Sequence, residues 1–144
     1  MKNNYRAAFT ALVLTGALGA APALAEMAAF KATLSAAEEV PATNSKGAGT
    51  VDVTYDSTSK KLSWKGSYTG LSGAATAAHF HGPAEVGKNA GVAVPLSSAA
   101  SPLEGSSAIT DAQAADLMAG KMYLNVHTAA NPNGEIRGQV LKAK

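Results

Sequence analysis

There is no cysteine in this chain. Disulfides, thiolate metal ligands and thiol nucleophiles are therefore excluded together. Beyond residue 25 no apolar stretch approaches the roughly 20 residues that a membrane-spanning helix needs. A basic stripe is missing too, so no nucleic-acid partner is expected. The familiar catalytic signatures are also lacking. There is no G-x-S-x-G, no H-E-x-x-H, no phosphate-binding glycine loop and no dinucleotide fingerprint. Serines are plentiful, but none sits in a recognisable nucleophile context. A binding role is thus easier to support than an enzymatic one.

What is present begins with an export pattern. Lys2 and Arg6 form a short positive end, and Ala7 to Leu18 is largely apolar. Pro22 then breaks any helix, and Ala23-Leu24-Ala25 is a small-x-small cleavage site. Residues 1–25 are expected to be a cleaved signal peptide, and Glu26 to Lys144 a single domain in the periplasm or outside the cell. Cleavage removes two of 12 basic residues and none of the 10 acidic ones, which leaves the mature chain formally neutral. No membrane insertion of the mature protein is expected. Without disulfides, the domain must be held by its core, its sheet hydrogen bonds or a metal.

A period of two marks half-buried strands. It recurs at Phe30, Ala32 and Leu34; at Val51, Val53 and Tyr55; at Leu62, Trp64 and Tyr68; at Val92, Val94 and Leu96; and at Ile136 and Val140. Turn-forming clusters separate these runs, including Asp56-Ser57-Thr58-Ser59 and Asn131-Pro132-Asn133-Gly134. The expected fold is all-β, an antiparallel Greek-key-like sandwich or barrel. One short helix is expected over Asp111–Ala119. Thr110 and Gln113 fit a capping box, and Gly120 stands where the helix should stop.

The chain has three histidines, His79, His81 and His127. His79 and His81 flank Phe80, so on a strand both imidazoles project one way while Phe80 enters the core. His127 ends Met122-Tyr123-Leu124-Asn125-Val126-His127. There Leu124 and Val126 take the core face, and Tyr123, Asn125 and His127 the opposite one. Three imidazoles on two strands suit one transition-metal ion, copper or zinc. The plainer alternative is that they hydrogen-bond to nearby loops. Glu39, Glu135, Arg137, Asn125 and Tyr123 are the candidate outer partners that would orient the ligands. The turn at Asn131–Gly134 makes the strand ending at His127 and the one starting at Glu135 antiparallel neighbours, which brings Glu135 or Arg137 near His127. A surface salt bridge is the plainer expectation for that pair.

Three stretches together resemble the CHRD domain, the module named after chordin. They are Leu34-Ser35-Ala36-Ala37-Glu38-Glu39-Val40-Pro41; Gly70-Leu71 leading to Ala77-Ala78-His79-Phe80-His81-Gly82; and Tyr123-Leu124-Asn125-Val126-His127-Thr128 running into Asn131-Pro132-Asn133-Gly134-Glu135-Ile136-Arg137-Gly138-Gln139. Asn133 stands where a glycine is expected. The resemblance covers about Phe30 to Leu141 and implies an extracellular or periplasmic β domain. It implies no particular activity. In chordin such domains accompany cysteine-rich modules that bind growth factors, and this chain has none.

Three functions follow as expectations. The first is an exported domain holding one metal ion through His79, His81 and His127, for storage, delivery or stabilisation. The second is a metal-independent module recognising an exported protein or a cell-surface glycan. The third is a metalloenzyme with an open coordination position.

Overall fold

The computed structural model describes residues 26–144. The expected signal peptide lies outside the described residues. Eight strands form one antiparallel sheet nearly closed into a barrel: β1 (Met27–Ser35), β2 (Ala48–Asp56), β3 (Lys61–Thr69), β4 (Ala75–His81), β5 (Val92–Pro95), β6 (Leu103–Ala108), β7 (Tyr123–Thr128) and β8 (Ile136–Lys142). Their order in the sheet is β5-β4-β7-β8-β1-β2-β3-β6. Of the two forms expected, the barrel is the one found.

The alternating apolar residues fill the interior. Phe30 faces Val53 across β1 and β2, and Ala32 faces Val51. Phe80, Leu124, Val126, Ile136 and Val140 are fully buried. The Trp64 ring meets Phe80 edge-on at 5.5 Å between centroids. Each such side chain contributes about 1.5–3 kcal/mol on leaving water. The helix, α1 (Asp111–Met118), buries Leu117 and Ala114. Its capping box is complete: Gln113 N donates to Thr110 Oγ1 at 3.2 Å, and Thr110 N donates to Gln113 Oε1 at 2.9 Å. Gly120 follows at φ +71°, the left-handed turn that stops the helix.

Two features depart from the alternation. Strand β6 carries almost no apolar signal, because Trp64 supplies the bulk at that point. A Cβ on Gly105 would lie 2.7 Å from the Trp64 ring. Val92 is 54% exposed, because the register of β4 against β5 shifts between Phe80 and His81.

Register decides the site. Between β4 and β7, Ala77 pairs with His127, His79 with Asn125, and His81 with Tyr123. Across β7 and β8, Asn125 pairs with Arg137. Paired residues on one pleat share a face. His79, His81, Tyr123, Asn125, His127 and Arg137 therefore form one polar layer on the outside of the barrel. Loops fold over it, so β7 is buried at all six positions.

Candidate metal centre

The three histidines converge. Each offers one ring nitrogen, and those nitrogens lie within 4.8 Å of one another. His79 Nδ1 is 3.0 Å from His127 Nε2. Ring centroids are separated by 4.9 Å for His79 and His127, 5.5 Å for His79 and His81, and 6.3 Å for His81 and His127. The imidazoles are off the barrel core, as the pleat requires; His79 is half-buried, and the other two are buried. His81 and His127 are 8% and 9% exposed.

Backbone carbonyls fix two of the three tautomers. His127 Nδ1 is 2.9 Å from Pro132 O, and His81 Nδ1 is 3.0 Å from Ala90 O. A carbonyl only accepts, so both Nδ1 atoms carry the proton and both Nε2 atoms present a lone pair. His127 Nε2 accepts from His79 Nδ1. His81 Nε2 is buried and has no partner. Burial holds His79 and His81 below the ordinary histidine value, and the neighbouring imidazoles push the same way. Neutral imidazole is the form that binds metal.

A column of rings supports His81. Tyr123 stacks flat on it, with centroids 4.8 Å apart and planes 1° from parallel. The buried Arg137 guanidinium lies 3.4 Å over the other face of Tyr123. Arg137 donates to Asn89 Oδ1 at 2.9 Å and to Lys88 O at 2.6 Å. The Tyr123 hydroxyl accepts from Ala90 N at 3.2 Å and donates to Ala90 O at 3.3 Å. Arg137 and Tyr123 thus clamp the β4–β5 loop and with it the carbonyl that orients His81.

The CHRD-domain family model matches residues 30–140. This chain belongs to the CHRD family. No curated protein and no solved structure matches it.

In this CHRD domain Glu135 does not meet the histidines. Its carboxylate is fully buried and accepts from Ser45 Oγ, Ser72 N, Ser72 Oγ, Thr128 Oγ1 and Asn131 Nδ2. Those bonds tie down the Asn131–Gly134 turn, which carries Pro132. Its influence on His127 therefore runs through that turn and not through an imidazole. The expected surface pairing with Arg137 is likewise absent: among the described residues Arg137 makes no ion pair, and both side chains are buried.

Glu39, 6% exposed, lies over the same layer. Burial pushes its carboxyl up to about 7, against the opposing pull of Arg137, the Asn125 amide and the Val40 N–H. Gly134 makes room for it: φ is +126°, and a Cβ there would run into Glu39 Oε1 and the Asn125 Nδ2 at 2.7 Å. The carbonyls of Ala90 and Pro132 carry no sequence signal, because any residue supplies one.

A raised carboxyl favours the protonated fold. The folded chain binds more protons than the unfolded chain between pH 4.5 and about 7, so this contribution to stability is lost as pH rises through that window. The shift corresponds to about 3 kcal/mol. His79 and His81, with lowered values, act oppositely and destabilise as pH falls below about 6.5. The difference between wild type and Glu39→Gln isolates the carboxyl. Urea unfolding should show the variant more stable by about 2–3 kcal/mol at pH 8, with the gap closing by pH 4. A gap independent of pH would refute the burial of an ionisable Glu39.

Proposed function

We propose that this CHRD domain is an exported binding module that holds one copper or zinc ion through His79, His81 and His127. The observation that carries this is His81 Nε2. It is a buried lone pair without a partner, in a cluster of imidazoles where the outer nitrogens of His81 and His127 are already occupied by backbone carbonyls. Histidines serving only to pin loops would not need it, and leaving a buried acceptor unpaired costs about 1–3 kcal/mol. A divalent cation satisfies His81 Nε2 and His127 Nε2 together and replaces the His79–His127 hydrogen bond. Storage, delivery or stabilisation are the roles such a centre suits. Export belongs to the same proposal, and rests on the Ala23-Leu24-Ala25 site and the family's setting.

Calorimetric titration of the metal-free protein tests this. One ion per chain is expected, with copper(II) bound more tightly than zinc. Protons compete for the same lone pairs, so affinity falls as pH drops below about 6.5. The lowered values of His79 and His81 move the loss to more acid pH than free histidine would show. A protein that takes up neither metal at neutral pH refutes the centre.

A further inference from the structure

Three buried acceptor atoms in the outer polar layer make no hydrogen bond: His81 Nε2, Asn125 Oδ1 and Glu39 Oε1. The donors closest to them are engaged elsewhere: His79 Nδ1 on His127, His81 Nδ1 on Ala90 O, His127 Nδ1 on Pro132 O, the Tyr123 hydroxyl on Ala90 O, and the Arg137 guanidinium on Asn89 Oδ1 and Lys88 O. Such an excess of lone pairs is what a cation satisfies.

Asn125 has a particular place among them. On the β4–β7 grid it pairs with His79, stands two residues from His127 on the same strand, and lies diagonal to His81, whose own pair is Tyr123. The four side chains mark the corners of one cell of the sheet. Directly opposite residues lie about 4.5–5.5 Å apart, and diagonal ones about 7–8 Å, within reach of long side chains. The amide also has a definite direction. Nδ2 sits over Gly134 beside Glu39. That leaves Oδ1 facing His81, where it would accept from a protonated ring; in neutral His81, with Nδ1–H given to Ala90 O, Nε2 is a lone pair as well. Two acceptors cannot bond each other, so neither has a partner.

We infer that Asn125 supplies the fourth donor to the metal through Oδ1, which makes the centre a closed site of three imidazoles and one amide oxygen. This rests on the three-histidine reading above and goes beyond it. A fourth protein ligand leaves no open position, and structural zinc sites are closed in this way whereas catalytic ones keep a position for water. Glu39 lies beside the Nδ2 of that amide and, when ionised, is placed to accept from it and strengthen the oxygen as a donor. A holding function follows, and the metalloenzyme alternative loses its reactive position.

Cobalt(II) titration followed by visible absorption tests the assignment, because four-coordinate cobalt absorbs far more strongly than five- or six-coordinate cobalt. Wild type is expected to give the intense four-coordinate band. Asn125→Ala should bind more than about tenfold more weakly and show a weaker, shifted band as water enters. Asn125→Asp keeps an oxygen donor and adds charge, so it should regain or exceed the wild-type affinity with a band distinct from wild type. If Asn125→Ala binds as wild type does, or binds more weakly with an unchanged band, the amide does not ligate and the inference fails while the three-histidine centre stands. Should the alanine variant not fold, an unchanged band in the aspartate variant overturns the inference equally. If wild type takes up no cobalt, zinc or copper, both the inference and the centre beneath it fall.

Discussion

Replacing His81 by alanine is expected to abolish tight binding of copper(II) or zinc, with a loss of more than about 100-fold. Outer partners of metal ligands already cost about 10–100-fold when removed, and His81 is a ligand in the proposed centre. His79→Ala and His127→Ala should behave alike, since no other imidazole in the chain can substitute. The cost to the metal-free fold is of a different order. His81→Ala removes the bond to Ala90 O, and His127→Ala removes the bonds to Pro132 O and His79. Each bond contributes about 0.5–1.5 kcal/mol. Deleting His81 also removes an unpaired buried nitrogen. Melting of the metal-free variants should therefore fall by a few degrees only. The loop-pinning alternative anticipates the reverse: a loss of metal-free stability with no change in metal affinity. Titration and thermal melting on the same three variants separate the two outcomes.

The pleat made part of this site readable in advance. His79, Phe80 and His81 must alternate on a strand, and so must His127, Val126 and Asn125; the face each side chain takes followed from that alone. Convergence did not follow. β4 and β7 are separated in sequence by β5, β6 and α1, and no local pattern sets their register at His79 opposite Asn125. The covering loops were equally illegible. By alternation Arg137 faces away from the core and passes for a surface charge, yet the Lys88–Ala90 segment folds over it and leaves it 2% exposed. Glu135 misled for a related reason. The Asn131–Gly134 turn pointed correctly to antiparallel strands, but Ser45 and Ser72 come from distant loops. Strand β6 escaped because its interior bulk belongs to Trp64 on β3.

Glu135→Gln should be the most damaging single change outside the barrel core. The wild-type carboxylate is fully buried among hydroxyl, amide and backbone donors, and among the described residues it makes no ion pair. Burial alone would raise its pKa, but the bonds from Ser45, Ser72 and Thr128 outweigh that and hold it at about 2. An ionised acceptor suits five donors; an amide does not. Glutamine brings an NH2 group against hydroxyls and an N–H that are already donating, and each buried group left unsatisfied costs about 1–3 kcal/mol. A loss of roughly 3 kcal/mol or more is expected, equivalent to a fall in Tm of roughly 10–15 °C for a domain of this size. The pH dependence has the opposite sign to that of Glu39. A depressed carboxyl contributes stability that is present above about pH 4.5 and is lost as pH falls toward 2. Wild type should therefore lose its advantage over Glu135→Gln in acid, whereas Glu39→Gln gains its advantage over wild type as pH rises. Thermal melting of both variants from pH 3 to pH 8 reads both slopes. Because Glu135 also fixes the turn that carries Pro132, its loss should loosen the lock on His127 and weaken metal binding about tenfold. A Glu135→Gln protein with wild-type stability at pH 7 would show that the buried carboxylate does not anchor these loops.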